Sequence, residues 1–167
     1  MIVLKDILFK VTLESVTGNP GVPVNAIHFD SRKVGLNDVF VALRGTQSDG
    51  HAFIKKAVDQ GAIAVICEEL PDDFVNGVTY VQTSDTAQAL AIMASNYYGN
   101  PSANLKLVGI TGTNGKTTIA TLLNQLFTKA GFKTGLLSTV KVLVAEHEYP
   151  ATHTTPDSLT INKYLAE

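Results

Sequence analysis

This chain has a single cysteine, no long apolar run and little net charge, and each of these features argues against a class of protein. The 167 residues include one cysteine, Cys67, which excludes an intrachain disulfide and favours a reducing, cytoplasmic setting. No apolar run in the sequence approaches the roughly 18 residues that a membrane-spanning helix needs. The formal charge of −2 gives no electrostatic reason to expect nucleic acid or a membrane surface as a partner.

The hydrophobic content of 45% is typical of a soluble globular protein, and the length suits one large or two small domains. Alternating and helical apolar patterns predict strands within residues 25–32, 38–45, 62–67 and 78–83 and helices within 50–61 and 84–99. The segment GNPSANLK, residues 99–106, is typical of a linker, so we place a domain boundary near residue 103. The predicted fold class is α/β, with a small domain over residues 1–103 and the start of a parallel-sheet domain over 104–167.

A glycine-rich stretch, GITGTNGKTT at residues 109–118, joins two apolar elements. The apolar run 105–111 before it predicts a buried strand of the parallel-sheet type. The pattern over 116–131 predicts an amphipathic helix, and residues 133–139 predict a returning strand. These three elements would make one right-handed strand–helix–strand unit.

The composition of this loop matches what phosphate binding requires. Unpaired N–H groups at a helix N-terminus attract anions, and the lack of a side chain at Gly112 and Gly115 lets phosphates approach the backbone. Lys116 would bring a charged ammonium to the terminal phosphates, and the Thr117 hydroxyl would ligate Mg²⁺. The strict G-x-x-x-x-G-K-[ST] pattern requires glycine where this chain has Ile110. The alternative interpretation is a glycine-rich turn with a surface lysine.

Some parts of a complete nucleotide-hydrolysing site are absent from the sequence. Such enzymes usually hold Mg²⁺ with an additional acidic residue at the end of another strand, and the predicted strand over 133–139 ends without one. Asp157 fits better as a helix cap. His28, His51 and His147 lack the spacing of a zinc site. We therefore expect this sequence to be the front part of a longer protein.

Three blocks of the sequence resemble the Mur ligase family. The stretch GITGTNGKTT is similar to that family's ATP loop, in which glycine commonly takes the position of Gly112. The block FDSRKVGLNDVFVALRGTQSDGHAFI, residues 29–54, resembles the UDP-binding domain of the family's MurE-type branch. PATHTTPDSL, residues 150–159, resembles the segment of that branch that contacts the UDP-sugar substrate.

The resemblance implies an ATP-dependent, amide-forming ligase of peptidoglycan precursor synthesis. Its reaction would join an amino acid to UDP-MurNAc-L-Ala-D-Glu through an acyl phosphate, in a cytoplasmic monomer. Carried over by position, the residues that bind ATP and its Mg²⁺ would be Gly112, Thr113, Asn114, Gly115, Lys116, Thr117 and Thr118, with Lys116 and Thr117 catalytic and Thr117 on the metal. The substrate contacts would be Phe29, Ser31, Thr46, Gln47, Ser48, His153, Thr154 and Thr155.

Two alternatives remain open on the sequence. The chain could belong to another ligase of the same superfamily, such as the one adding D-Ala-D-Ala or a folylpolyglutamate synthase. It could also be a non-catalytic module in which the loop senses ATP. Whether meso-diaminopimelate or L-lysine is added cannot be read from these residues.

Overall fold

The computed structural model describes residues 2–45, 48–144, 147–150 and 156–167. The chain divides into two compact units, residues 1–97 and 98–167. The division therefore falls a few residues before the boundary that the sequence predicts near residue 103. No helix among the described residues has the length and apolar character required to cross a membrane.

The described part of the first unit contains a mixed sheet with the strand order β1-β5-β4-β3-β2. Strands β2 to β5 are parallel to one another, and β1 joins the free edge of β5 in the antiparallel sense. A parallel arrangement needs crossover connections. Helical segments lie between β2 and β3 and between β3 and β4, whereas the residues between β4 and β5 contain no helix. The strands are β1 (Ser15–Thr17), β2 (Ile27–His28), β3 (Val39–Val41), β4 (Ala64–Cys67) and β5 (Thr79–Gln82).

Three helices and two short 3-10 helices complete the described first unit. They are α1 (Leu4–Ile7), a 3-10 helix (Ser31–Lys33), a second 3-10 helix (Gly50–Phe53), α2 (Ile54–Asp59) and α3 (Thr86–Tyr97). The Asp85 side chain accepts a hydrogen bond from the Gln88 amide at 2.8 Å, which caps α3. The four predicted strands and two predicted helices of this unit are confirmed, although each is shorter than its apolar pattern. Helix α1 and strand β1 were not predicted.

One core cluster of the first unit lies where the central strands meet α2. Phe40, Val65 and Tyr80 are buried side by side on β3, β4 and β5, because parallel neighbours in register place alternate residues on one face. Cys67 belongs to the same cluster, and burial raises the pKa of its thiol to about 11. Cys67 is therefore a buried residue of the strand that the sequence predicts within 62–67.

The described second unit combines two helices with a small antiparallel sheet. Strands β6 (Gly135–Leu137), β7 (Lys141–Val144) and β8 (His147–Pro150) pair in that order. Helix α4 (Lys116–Lys129) precedes them, and α5 (Ser158–Ala166) follows them. A 3-10 helix over Pro101–Asn104 contacts α5.

Two predictions for the second unit are wrong in this structure. Residues 105–111 do not form a strand, and no described strand pairs with them, so the strand–helix–strand unit is not formed. The side chains of Leu107 and Val108 are 61% and 65% exposed. Without a neighbouring strand, the backbone of an apolar run has no ladder of hydrogen bonds to enter. The sheet that does form in this unit is antiparallel, and its strands are neighbours in sequence.

Candidate functional site

The predicted substrate contacts of the first unit follow the carboxyl ends of neighbouring parallel strands. Phe29 and Ser31 come directly after β2, and Ser48 lies in the turn that follows β3. Ligands of open α/β sheets bind at this edge because the loops there converge. Ser31 is buried, whereas Phe29 is partly exposed. Thr46 and Gln47, the other predicted contacts of this turn, lie outside the described residues.

Asp30 and Arg32 shape the turn after β2. The Asp30 carboxylate accepts hydrogen bonds from the Arg32 amide at 3.0 Å and from the guanidinium Nε and Nη2 at 2.9 and 2.8 Å. These hydrogen bonds, first of all those of the guanidinium, hold the pKa of Asp30 far below its ordinary value. Asp30 therefore stays ionised, and its side chain caps the 3-10 helix that begins at Ser31.

The turn after β3 is closed by backbone hydrogen bonds on both sides of Thr46 and Gln47. The Gly45 amide donates to the Ser48 carbonyl at 3.0 Å, and the Gly50 amide donates to the Leu43 carbonyl at 2.8 Å. We call residues Leu43–Gly45 and Ser48–Gly50 the turn flanks. They bring Ser48 back beside the strand end and leave it exposed to solvent.

Glu68, the first residue after β4, links one turn flank to helix α3. One carboxylate oxygen lies 3.1 Å from Nε of Arg44, and the other accepts from the Thr86 amide and hydroxyl at 3.1 and 2.9 Å. A carboxylate at the first turn of a helix is favoured by the helix dipole. Arg44 also pairs with Glu69, and its hydrogen bond to Glu69 raises the pKa of Arg44.

His51 links the other flank to the same strand end. Its Nε2 accepts hydrogen bonds from the backbone amides of Glu68 and Glu69 at 2.9 and 3.3 Å. Its Nδ1 lies 2.6 Å from the Asp49 carboxylate. Because two N–H donors face Nε2, that nitrogen is unprotonated, and Nδ1 donates its proton to Asp49. Hydrogen bonds from the His51 amide and imidazole lower the pKa of Asp49.

Sequence reasoning missed Arg44, His51 and Glu68 as parts of this edge. His51 was considered only as a zinc ligand, and the two charged residues were not singled out. Glu68 directly follows a buried strand, so the rule that ligands lie at the carboxyl ends of parallel strands could have identified it. Nothing local in the sequence indicates that Arg44 and His51 both reach that residue.

The glycine loop of the second unit ends at the N-terminus of α4. Gly112 and Gly115 have φ angles of +149° and +79°, conformations that residues with a side chain rarely adopt. Gly115 is the N-cap, and no side chain caps the described first turn of α4. A β-carbon placed at Gly115 would have no atom within 4 Å. The loop therefore offers uncapped amides and an open approach, as the sequence predicts for a phosphate site.

Lys116 folds back over this loop. Its ammonium donates hydrogen bonds to the Gly112 carbonyl and, at 3.3 Å, to the Thr113 carbonyl. The ammonium thus lies beside the backbone of the glycine loop, where the lysine side chain is long enough to contact an anion bound to the loop. Thr117 is half-buried, while Thr113, Asn114 and Thr118 are exposed. The remaining predicted contacts, His153, Thr154 and Thr155, lie outside the described residues.

Two domain families match the chain in sequence order. The Mur ligase family catalytic domain matches residues 23–98, and the Mur ligase middle domain matches residues 110–167. The chain belongs to the Mur ligase family. The family predicted from the three sequence blocks is thereby confirmed, and the first Mur ligase domain spans the strand ends and turn flanks described above.

Curated Mur ligases resemble nearly the whole chain. A protein named UDP-N-acetylmuramoyl-L-alanyl-D-glutamate–2,6-diaminopimelate ligase from Cytophaga hutchinsonii is 53% identical over 165 residues, which are 98% of this chain and 34% of the relative. The protein of the same name from Bacteroides fragilis is 48% identical over 162 residues, 97% of this chain and 33% of the relative. The chain therefore spans about a third of the length of the Mur ligases that it matches.

Solved Mur ligase structures share the fold. A structure named UDP-N-acetylmuramoyl-L-alanyl-D-glutamate–2,6-diaminopimelate ligase is 25% identical with a TM-score of 0.72, over 99% of this chain and 33% of that one. MurF from Acinetobacter baumannii is 22% identical with a TM-score of 0.64, over 99% of this chain and 32% of that one. The predicted α/β class is confirmed, and the parallel strands that the structure describes belong to the first unit.

Proposed function

We propose that this chain supplies the UDP-substrate domain and the ATP loop of a ligase that adds the third amino acid to UDP-MurNAc-L-Ala-D-Glu. The names of its relatives favour 2,6-diaminopimelate as that amino acid. Because the chain spans about a third of their length, the complete reaction would also need residues that only the longer proteins contain. We further propose a cytoplasmic monomer with small-molecule partners and neither nucleic acid nor a membrane as partner.

The loop at the start of α4 carries this proposal. Uncapped amides, two glycines with positive φ and a lysine turned over the loop backbone occur together within residues 112–118. This combination suits the terminal phosphates of ATP, because backbone N–H groups bind the oxygens while the ammonium offsets their charge. The proposed ATP contacts are Gly112, Thr113, Asn114, Gly115, Lys116, Thr117 and Thr118.

The residues of this loop suit Mg²⁺ only when phosphate oxygens of the nucleotide act as additional metal ligands. No group of three acidic, histidine or cysteine side chains suited to a metal occurs among the described residues. The Thr117 hydroxyl is a hard oxygen ligand of the kind that Mg²⁺ accepts alongside phosphate oxygens. When bound, Mg²⁺ would offset the charge on the phosphates, and Thr117 would help to hold it there.

The carboxyl-end edge of the sheet in the first unit would hold the uridine diphosphate end of UDP-MurNAc-L-Ala-D-Glu. Phe29 offers a partly exposed ring and Ser31 a hydroxyl beside the carboxyl end of β2, which suits stacking and hydrogen bonding to a uridine diphosphate. Ser48 belongs to the turn whose remaining proposed contacts are Thr46 and Gln47. The muramoyl portion would be contacted by His153, Thr154 and Thr155.

The chemistry explains why one chain should hold both ligands. A carboxylate is a poor acyl donor, and transfer of the terminal phosphoryl group of ATP gives it a leaving group that the incoming amine can displace. Charge builds up on the transferred group, so a positioned ammonium such as that of Lys116 lowers the barrier. Backbone amides at the start of α4 would orient the same phosphates without reorganising.

The proposal is tested by titrating ATP with Mg²⁺, and UDP-MurNAc-L-Ala-D-Glu, into the 167-residue chain in a calorimeter. We expect both ligands to bind, ATP the more weakly. Lys116→Met removes a charge-assisted hydrogen-bond donor and should weaken ATP binding about 10- to 100-fold. Lys129→Met, at the other end of α4, is the matched control and should bind like wild type. If Lys116→Met also binds ATP like wild type, or if neither ligand binds, the proposal is wrong.

A further inference from the structure

We propose that His51 is a positioning residue that holds the turn flanks in place to receive the uridine end of the substrate. His51 is not one of the predicted substrate contacts. It acts by accepting hydrogen bonds from the backbone amides that follow β4 and by donating one to Asp49. The inference rests on the proposed function for its ligand. Its structural half, that His51 ties the flanks to the sheet, can be tested without any ligand.

Both nitrogens of the His51 imidazole have hydrogen-bond partners. Nε2 accepts from the amides of Glu68 and Glu69, and Nδ1 donates to Asp49. The side chain is only 12% exposed, so water is a poor substitute for either partner. A histidine held in this way has one tautomer and one ring orientation.

Both turn flanks are linked to Glu68. The Asp49 flank reaches the Glu68 backbone through His51, and the Arg44 flank reaches the Glu68 side chain directly. Glu68 in turn is held by Thr86 of α3, and the Gln82 side chain donates to its carbonyl at 3.1 Å. The turn flanks are therefore anchored to the end of β4 at two points, one through Arg44 and the other through His51.

Loss of the His51 side chain would remove one of the two links between the turn flanks and Glu68. The two flanks would still be joined to each other by the Gly45–Ser48 and Gly50–Leu43 hydrogen bonds. Among the described residues, the side-chain link from the flanks to the end of β4 would then depend on the exposed Arg44, beside the backbone hydrogen bond from the Ala42 amide to the Ile66 carbonyl that precedes the flank. Exposed ion pairs hold weakly. If the flanks hold the binding conformation for only a fraction of the time, the apparent Kd for the ligand equals the intrinsic Kd divided by that fraction.

The ligand-free test measures the tautomer and the local order of the wild-type chain. A long-range proton–nitrogen correlation spectrum at neutral pH should show the His51 Nδ1 protonated and the Nε2 unprotonated. Hydrogen exchange should be slower for the amides of Glu68 and Glu69 than for those of exposed turns. An Nε2-protonated His51 would overturn the inference, because that nitrogen could not accept the two amides.

The variants separate the two hydrogen-bonding functions. His51→Phe keeps the ring and loses both functions, so we expect faster exchange at Glu68 and Glu69 and a Kd for UDP-MurNAc-L-Ala-D-Glu raised about tenfold. His51→Gln restores an acceptor and should recover most of that affinity. ATP binding should not change. His147→Phe makes the same replacement at an exposed position of β8 and serves as the control.

The outcomes distinguish this inference from the proposed function. If wild type does not bind the UDP ligand, the proposed function fails, while the tautomer and exchange data still decide whether His51 anchors the flanks. If His51→Phe binds the UDP ligand as tightly as wild type, His51 is not a positioning residue. Equal weakening of UDP-ligand and ATP binding would indicate a general folding role and would also overturn the inference.

Discussion

At the scale of single residues, Gly50 shows how closely the turn flanks pack. A β-carbon built on Gly50 would lie 2.7 Å from both the nitrogen and the carbonyl oxygen of Leu43. Both are backbone atoms of the opposite flank, so neither can rotate away. Glycine is required here by the close approach of two backbones. Gly77 differs, because its φ is +87° and a β-carbon added there would have no atom within 4 Å.

We expect Gly50→Ala to destabilise the first unit by about 1–3 kcal/mol, the usual cost of forcing atoms into filled space. Gly77→Ala, the control, should cost about 1 kcal/mol, because it forces an alanine into a left-handed conformation without a clash. The measurement is the free energy of opening of β3 and β4 amides from hydrogen exchange in both variants. A smaller cost for Gly50→Ala than for Gly77→Ala would contradict the close approach described here.

At the scale of elements, α5 follows local sequence rules closely. Asp157 was predicted as a cap, and its carboxylate accepts hydrogen bonds from the Thr160 amide at 2.9 Å and the Thr160 hydroxyl at 2.7 Å. One residue thus satisfies a free N–H of the first turn and places a negative charge at the positive end of the helix. The prediction of Asp157 as a cap is confirmed.

The cap makes a direct prediction for α5. Asp157→Ala should destabilise the helix by about 1 kcal/mol, which speeds opening of its amides roughly fivefold in hydrogen exchange. Asp157→Asn retains a side-chain oxygen and should stay near wild type. Equal exchange rates in α5 for the alanine variant and wild type would show that the cap contributes nothing to the helix.

The segment over 105–111 shows the limit of local rules at the same scale. Its apolar run predicts a strand, but a parallel strand depends on neighbours that are distant in sequence. Within the described residues no strand lies beside it. The amphipathic pattern of α4 is likewise correct as a helix prediction, although Leu122, Leu126 and Phe127 on its apolar side are exposed.

At the scale of the whole molecule, burial is very unevenly distributed. Most buried hydrophobic side chains belong to the first unit, while those described in the second unit are Leu136, Val142 and Val144. Helix α4 contains no buried residue among those the structure describes. Helices of this length are marginal in water unless tertiary packing supports them.

Hydrogen exchange over the whole chain should reflect this distribution. We expect the amides of α4 to exchange faster than those of β3, β4 and β5. Local opening of α4 exposes little additional apolar surface and therefore costs little free energy. ATP with Mg²⁺ should slow exchange in the first turn of α4 if the proposed function is correct. Protection of α4 equal to that of β4 without ligand would contradict this prediction.

The sequence by itself determined the features that depend on neighbours along the chain. These are the glycine loop before α4, the cap at Asp157, the buried strands around Cys67 and the sequence blocks that indicate the family, because each depends on residues a few positions apart. Only the tertiary structure decided which distant residues meet. Arg44, His51 and Glu68 lie on separate elements and share one strand end because β3 and β4 pair in parallel. The same dependence on distant partners explains why residues 105–111 have the pattern of a strand in sequence and do not form one here.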